Sequence, residues 1–314
     1  MEYPHIHILN TFDLASLPDL DVAVLAALEL FQKAPLPQMD LSAYRRPLVV
    51  GSGNAEATGR IVFQDIDAVF ASESNYEDKL KRMSDIDGVV LVSASGEKHA
   101  PLIAKTAKQY GKPVTLITNT PRSTASQVLD LKHADQEYVF PKNREPYTYN
   151  TSTYMGMILG ATREDPAAIY AFLQKRIASM EFPDFSRYNK FFLILPPHLS
   201  GIARMLQVKF IELFGRRITR DVETSEYMRH ATTVVPSDEL FISFGVENTI
   251  WGKPEHRFHV PLPEGAGYVA MMAVGYYVIG QIQKQHLPYF KEHLAAYTTE
   301  VSELFGHTIA PIVE

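Results

Sequence analysis

Five short apolar runs alternate with helical stretches between residues 47 and 140, and this alternation constrains the fold more than any other feature of the sequence. Residues 47–50, 68–71, 88–92, 113–118 and 138–140 read as strands, and 54–64, 76–83 and 100–110 as helices, with Gly111 closing the last. A short helix over 127–131 and the start of another at 153–160 complete the pattern. Parallel strands need a crossover long enough to hold a helix, so strands separated by helices predict a parallel, doubly wound α/β sheet. Ligands on such sheets bind beyond the carboxyl ends of the strands, where the strand order reverses. The first and third strands end in Gly51-Ser52-Gly53-Asn54 and Ser93-Ala94-Ser95-Gly96, both small and polar. Backbone N–H groups and hydroxyls gathered before a helix suit a phosphate or another anion. The same residues also suit a plain helix cap.

The second half repeats the alternation in shorter form. Thr162-Arg-Glu-Asp-Pro166 predicts the N-cap of a helix running to about Met180, and 181–186 an inter-domain linker. Strands follow at 191–195, 217–219, 241–244 and 258–262, with helices over 201–214 and 268–284 and a helical tail over 291–305. The stretch between Phe244 and Phe258 is too short for a full helical crossover. The expected organisation is an N-terminal helical segment (1–45, with a helix over 15–33), a first α/β domain (46–180), a second, shorter one (181–285) and a helical tail (286–314).

Composition narrows the function. With 314 residues, 46% of them hydrophobic, there is ample chain for two cores. A formal net charge of −6 argues against a nucleic-acid partner, which needs a basic face. The absence of cysteine excludes disulfides, thiolate metal sites and cysteine nucleophiles, and fits a reducing cytoplasm. Met1-Glu-Tyr-Pro-His lacks the order of a signal peptide, and no apolar run reaches the roughly 18 residues of a membrane span, so no membrane partner is expected. Gly51-Ser-Gly53 lacks the third glycine of a dinucleotide fingerprint, with Glu56 in its place. Glu255-His256-Arg-Phe-His259 lies in apparent strand rather than on one helix face, and His5 and His7 stand alone near a terminus. Neither set predicts a metal, and no cofactor is expected.

Taken together, the strand-end loops resemble those of the sugar isomerase (SIS) domain family, specifically its two-domain members, over roughly 45–285. In that family a Gly-x-Gly turn follows the first strand, as in Gly51-Ser-Gly53, and Ser-Glu ends the second, as in Ser72-Glu73. The third ends in a phosphate loop, Ser-x-Ser-Gly-Glu-Thr, matched by Ser93-Ala-Ser-Gly-Glu-Lys98 with a lysine in the last place. Thr118-Asn119, Ser123, Ser126 and Ala134-Asp135 match the pattern after the fourth strand, and Thr151-Ser-Thr-Tyr154 the loop that opens the next helix. The family's base is the last residue of Ala-x-Glu-Gly-Ala-x-Lys-x-Lys-Glu. Ala203–Glu212 keeps the Ala, one Lys and the final Glu, and lacks the Glu-Gly. Glu226-Tyr-Met-Arg-His230 is similar to the family's Glu-x-x-His, one residue longer. The C-terminal lysine used for amino transfer is missing, since Lys291 is the last lysine.

The resemblance implies a cofactor-independent phosphosugar isomerase, working as a homodimer on a phosphorylated sugar. Ser93, Ser95, Gly96 and Lys98 would hold phosphate, with Gly51, Ser52, Gly53 and Asn54 beside them, and Ser152 and Thr153 would line the sugar. Glu212 would move a proton through an enediol, and His230 would open the ring in its own or the partner subunit. A deglycase or deaminase acting on a phosphorylated amino sugar, and a non-catalytic sugar-phosphate binder, are the alternatives. From the residues alone, Glu212 reads first as a surface ion pair with Lys209 or Arg216, and it is the resemblance that makes it the base; His230 also fits a helical partner of Glu226.

Overall fold

The computed structural model describes residues 3–231, 237–286 and 289–314. Met1 and Glu2 of the expected N-terminal segment, and 287–288 of the expected tail, lie outside them. Two helices come first, Pro4–Thr11 (α1) and Leu20–Lys33 (α2). The helix expected over 15–33 starts only at Leu20, because Pro18 disfavours helical backbone at the residue before it. In α1 only Leu9 is buried, so no apolar stripe advertises the helix. It is held by a buried carboxylate: Glu29 of α2 accepts from the Ile6 N–H at 2.9 Å and pairs with His5 Nδ1 at 2.6 Å.

The next strands are Pro47–Val50 (β1), Val69–Ala71 (β2), Gly88–Val92 (β3), Val114–Thr118 (β4) and Gln136–Val139 (β5). They form one parallel sheet in the order β2-β1-β3-β4-β5. The crossovers carry Asn54–Val62 (α3), Tyr76–Arg82 (α4) and Ala100–Gln109 (α5). Both sheet faces are covered, which is why β1 and β3 are apolar throughout, β4 is broken only by Thr115 and Thr118, and all three are buried at every position. Successive side chains still alternate between faces. Leu48, Val50, Val89 and Leu91 pack with Leu80, Ile103 and Ala107, whereas Val49, Val90 and Val92 pack with Ala55, Val62 and Phe140. The helix expected at 127–131 is a single 3-10 turn, Ser126–Val128.

A two-residue strand, Glu145–Pro146 (β6), precedes the helix Thr151–Thr162 (α6). The cap expected at Thr162 is displaced, because α6 runs through that residue and ends before Arg163, whose φ is +56°. Asp165 caps the next helix instead, Pro166–Phe172 (α7), accepting from the Ala167 N–H at 2.8 Å, and a π-turn carries the helical path on to Ile177.

The second parallel sheet contains Lys190–Leu195 (β7), Thr219–Thr224 (β8), Leu240–Phe244 (β9) and Arg257–Val260 (β10), in the order β10-β9-β7-β8. Ala203–Phe214 (α8) and the short Met228–Ala231 (α9) lie among these strands, and Tyr268–Gln285 (α10) and Tyr289–Phe305 (α11) follow them. The strand expected at 217–219 is displaced toward the charged run Thr-Arg-Asp-Val-Glu-Thr, where only Val222 and Thr224 are buried. Such a pattern protects a sheet edge. As expected, no full helical crossover joins β9 to β10, only the 3-10 turn Pro254–His256. Arg257 secures the loop instead, donating to the carbonyls of Thr249, Ile250 and Trp251 at 2.8, 3.0 and 2.9 Å. A final pair of residues, Ile312–Val313 (β11), pairs antiparallel with β6.

The chain forms two compact units whose limits differ from the domain boundaries expected above. The smaller comprises 34–142 and 153–163, and the larger 1–33, 143–152 and 164–314. Residues 181–186 are not a linker. Phe185 is fully buried in the larger unit, its N–H donating to Gln285 Oε1 at 2.7 Å and its carbonyl accepting from His286 Nε2 at 2.9 Å. The N-terminal helices join this unit because α2 packs against α10, which is buried almost all round. Glu164 caps α10, accepting from the N–H groups of Gly267, Val269 and Ala270 at 3.0, 2.8 and 3.0 Å. Glu164→Ala leaves those donors unpaired and is expected to cost about 2 kcal/mol in denaturant unfolding. An unchanged unfolding midpoint would show that water satisfies them.

Candidate active site

In the smaller unit, β1 and β3 are the neighbours between which the strand order reverses, and the two small polar loops extend from their carboxyl ends. Ser93 Oγ accepts from the Gly96 N–H, and Ser95 Oγ from the Glu97 N–H, each at 3.2 Å. The two serine oxygens are thus acceptors within the loop, and among the described residues their hydroxyl hydrogens remain available to an anion. Neither serine caps α5, which begins at Ala100 without a side-chain cap. Gly96 has a φ of +64°, and a Cβ there would lie 2.2 Å from Ser123 Oγ, so only glycine fits. Lys98, exposed and also left-handed at φ +55°, stands two residues on. Glu97 turns to the Thr124 N–H at 2.9 Å, and its hydrogen bonding to Thr124 holds it below the ordinary carboxylate value.

The other loop is also shaped by backbone. A Cβ on Gly51 would stand 2.8 Å from the Ala55 carbonyl carbon and the Glu56 nitrogen, and Gly53 has a φ of +58° as it leads into α3. Ser52 is exposed and donates to the Glu73 carboxylate, which gives the Ser72-Glu73 motif a physical partner. Asn54 is buried, with Oδ1 lacking any hydrogen bond among the described residues.

Ser152 departs from its expected role. It is fully buried, donates to Glu145 Oε1 at 2.5 Å and accepts from the Asn143 N–H at 2.8 Å. Its hydroxyl is committed inside the larger unit, so it is a structural residue rather than a sugar contact. Thr153, next on α6, is buried as well.

The larger unit holds a charge cluster around Glu212. Lys209, one turn earlier on α8, is completely buried, and its ammonium donates to Glu212 Oε2 at 2.7 Å and to the carbonyls of Thr148 and Tyr149 at 2.5 and 2.6 Å. The i−3 ion pair foreseen for a surface helix is therefore present but buried. Glu212 itself keeps 22% of its side chain exposed. Burial pushes its carboxyl above the ordinary value, against the opposing charge of Lys209. A half-desolvated carboxylate of raised pKa is what proton abstraction beside a carbonyl requires.

Behind Lys209 lies a turn with left-handed backbone at Thr148 (φ +77°) and Asn150 (φ +46°). Such conformations cost on the order of 1–3 kcal/mol each and persist only where the surroundings impose them. Glu145 anchors the turn, accepting from the N–H groups of Thr151 and Ser152 at 2.6 and 2.8 Å as well as from the Ser152 hydroxyl. Burial raises Glu145 too, opposed by these hydrogen bonds and by Lys209. Sequence reasoning missed Glu145. Its one signal is an acid shortly before the Thr-Ser-Thr opening of a helix.

His230 lies on α9, exposed, with its N–H donating to the Tyr227 carbonyl at 2.9 Å. Glu226 precedes this short helix, so the two do not form the helical pair that the spacing allowed. His256 meets the Tyr188 hydroxyl at 3.0 Å and His259 the Ser243 hydroxyl at 3.3 Å. Among the described residues no three His, Asp or Glu side chains group as a metal would need, and no helix is long and apolar enough to cross a membrane.

Compared by sequence alone, the chain matches no protein-family model and no curated protein. Its structure does match solved ones. The C-terminal domain of glucosamine-fructose-6-phosphate aminotransferase from Francisella tularensis aligns over 87% of this chain and 94% of its own, at 13% identity and a TM-score of 0.59. Glucosamine-6-phosphate deaminase from Thermotoga maritima aligns over 85% and 94%, at 14% identity and 0.58. Tagatose-6-phosphate ketose/aldose isomerase from Escherichia coli aligns over 85% and 89%, at 13% identity and 0.55. Two parallel sheets of five and four strands, matched over most of the chain, give this protein the fold of the SIS-domain phosphosugar isomerases.

Proposed function

We propose that this protein is a cofactor-independent phosphosugar isomerase that interconverts an aldose phosphate and a ketose phosphate. The observation that carries this reading is Glu212, a partly exposed carboxylate raised by burial, with one oxygen fixed by a buried ammonium. In the proposed reaction His230 moves the proton that opens the sugar ring. Glu212 then takes the proton from carbon 2 of the aldose; the electrons of that bond form the carbon 1–carbon 2 double bond, and the carbonyl electrons move onto the carbon 1 oxygen, which takes a proton to give the enediol. Returning the first proton to carbon 1 while the carbon 2 hydroxyl releases its own, which replaces the one taken up at the carbon 1 oxygen, gives the ketose. The hydroxyls of Ser93 and Ser95, the backbone at Gly96 and the Lys98 ammonium bind the phosphate, flanked by Gly51, Ser52, Gly53 and Asn54. A homodimer in the cytoplasm is the proposed working form.

Incubation in heavy water with fructose, glucose and mannose 6-phosphates and their amino-acid adducts, followed by NMR, tests the reading. Isomerisation places deuterium at carbon 2 of the product aldose. Release of an amine instead would establish deglycase or deaminase chemistry, a second reading favoured by the structural match to the Thermotoga deaminase. Binding without turnover would leave a sensor. Ser95→Ala combined with Lys98→Ala is expected to weaken fructose 6-phosphate binding by about tenfold to a hundredfold in calorimetry, since it removes two donors to a charged group. Unchanged affinity would place the phosphate elsewhere.

A further inference from the structure

Lys209 has three N–H donors and three close acceptors, two of them carbonyls of the left-handed turn and only one the carboxylate of Glu212. The turn is fixed from several sides. Glu145 accepts from the two N–H groups just beyond it, the Tyr149 hydroxyl donates to the Pro18 carbonyl at 2.7 Å, and the Tyr149 ring stacks on Phe290 at 5.5 Å. Lys209 and Glu145 are both inaccessible to solvent or nearly so, whereas Glu212 is partly exposed. The cluster therefore has a rigid, buried back and a single carboxylate at its open front.

We infer that Glu145 is a positioning residue for the Glu212 base, acting through the 148–150 turn, which presents two carbonyls to Lys209 and so fixes the ammonium on Glu212 Oε2. Glu212 Oε1 then meets the substrate in one orientation. The inference rests on the proposed role of Glu212, and Glu145 itself touches no reacting atom.

The test is a nitrogen–proton NMR spectrum of the lysine ammonium groups in the full-length protein, combined with steady-state kinetics on fructose 6-phosphate. A buried, fully hydrogen-bonded Lys209 gives a protected signal, assigned by its absence in Lys209→Arg. In Glu145→Gln the signal is expected to disappear by exchange, with kcat falling about tenfold and KM staying within about twofold. Glu145→Asp restores part of both. Circular dichroism monitors folding. Should Glu145→Gln not fold, Thr148→Gly, which suits left-handed backbone, loosens the turn and carries the same two readouts with a smaller loss. A wild-type signal and a wild-type kcat in a folded variant overturn the inference. Retained turnover in Glu212→Gln instead overturns the base assignment, and the ammonium signal still tests the clamp.

Discussion

Glu212→Gln is expected to lose isomerase turnover by roughly 10²–10⁴-fold, the range typical of removing a general base. Glutamine keeps the volume of the side chain and an acceptor for Lys209, so the fold and KM should change little. The loss would then report on proton transfer alone. Wild-type rates should carry the signature of the same group. In the proposed reaction the carboxylate is the active form, so activity should rise as pH rises through its pKa. Because burial lifts that pKa, the acid limb should lie above the ordinary carboxylate value. Deuterium incorporation at carbon 2 that persists in Glu212→Gln would show that another group moves the proton.

Lys209→Met should destabilise the protein by about 3–5 kcal/mol, the usual cost of stripping one partner from a buried charged pair. Methionine fills the space but leaves the Thr148 and Tyr149 carbonyls without their donor and Glu212 without its cation. The deficit should depend on pH in a defined direction. Glu212 and Glu145 both have folded-state pKa values raised by burial. Each therefore favours folding below the ordinary carboxylate value and loses that contribution as pH rises through the raised one. Lys209 opposes both rises, so its removal should hurt more at pH 8 than at pH 5. Urea unfolding at those two values measures the gap. A gap that narrows on the alkaline side would mean that Lys209 does not neutralise these carboxylates.

Strands with both faces covered were legible in the sequence because such strands run almost continuously apolar. Gly88–Val92 and Val114–Thr118 could be little else between helices. The loops at their ends were legible because tight turns demand small residues. Elements stabilised from far along the chain were not. Glu145–Pro146 becomes a strand only through Ile312–Val313, and Thr219–Thr224 is an edge strand whose charges hide its alternation. The Ser152 hydroxyl looked free because nothing local marks Glu145 as its partner. The spacing allowed Glu212 to pair with either Lys209 or Arg216, and only packing could show that it meets Lys209, with the ammonium in the interior.

The division into two units has a consequence for how the molecule is made. The chain passes from one unit to the other four times, near residues 33, 142, 152 and 163. Neither unit is therefore a contiguous stretch that a simple truncation could excise. On the ribosome, α2 emerges well over 200 residues before α10, against which it packs. The part of α2 that meets α10 stays uncovered until then. A nascent chain stalled before Tyr268 therefore lacks the helix that covers part of α2, and is a natural client for chaperones.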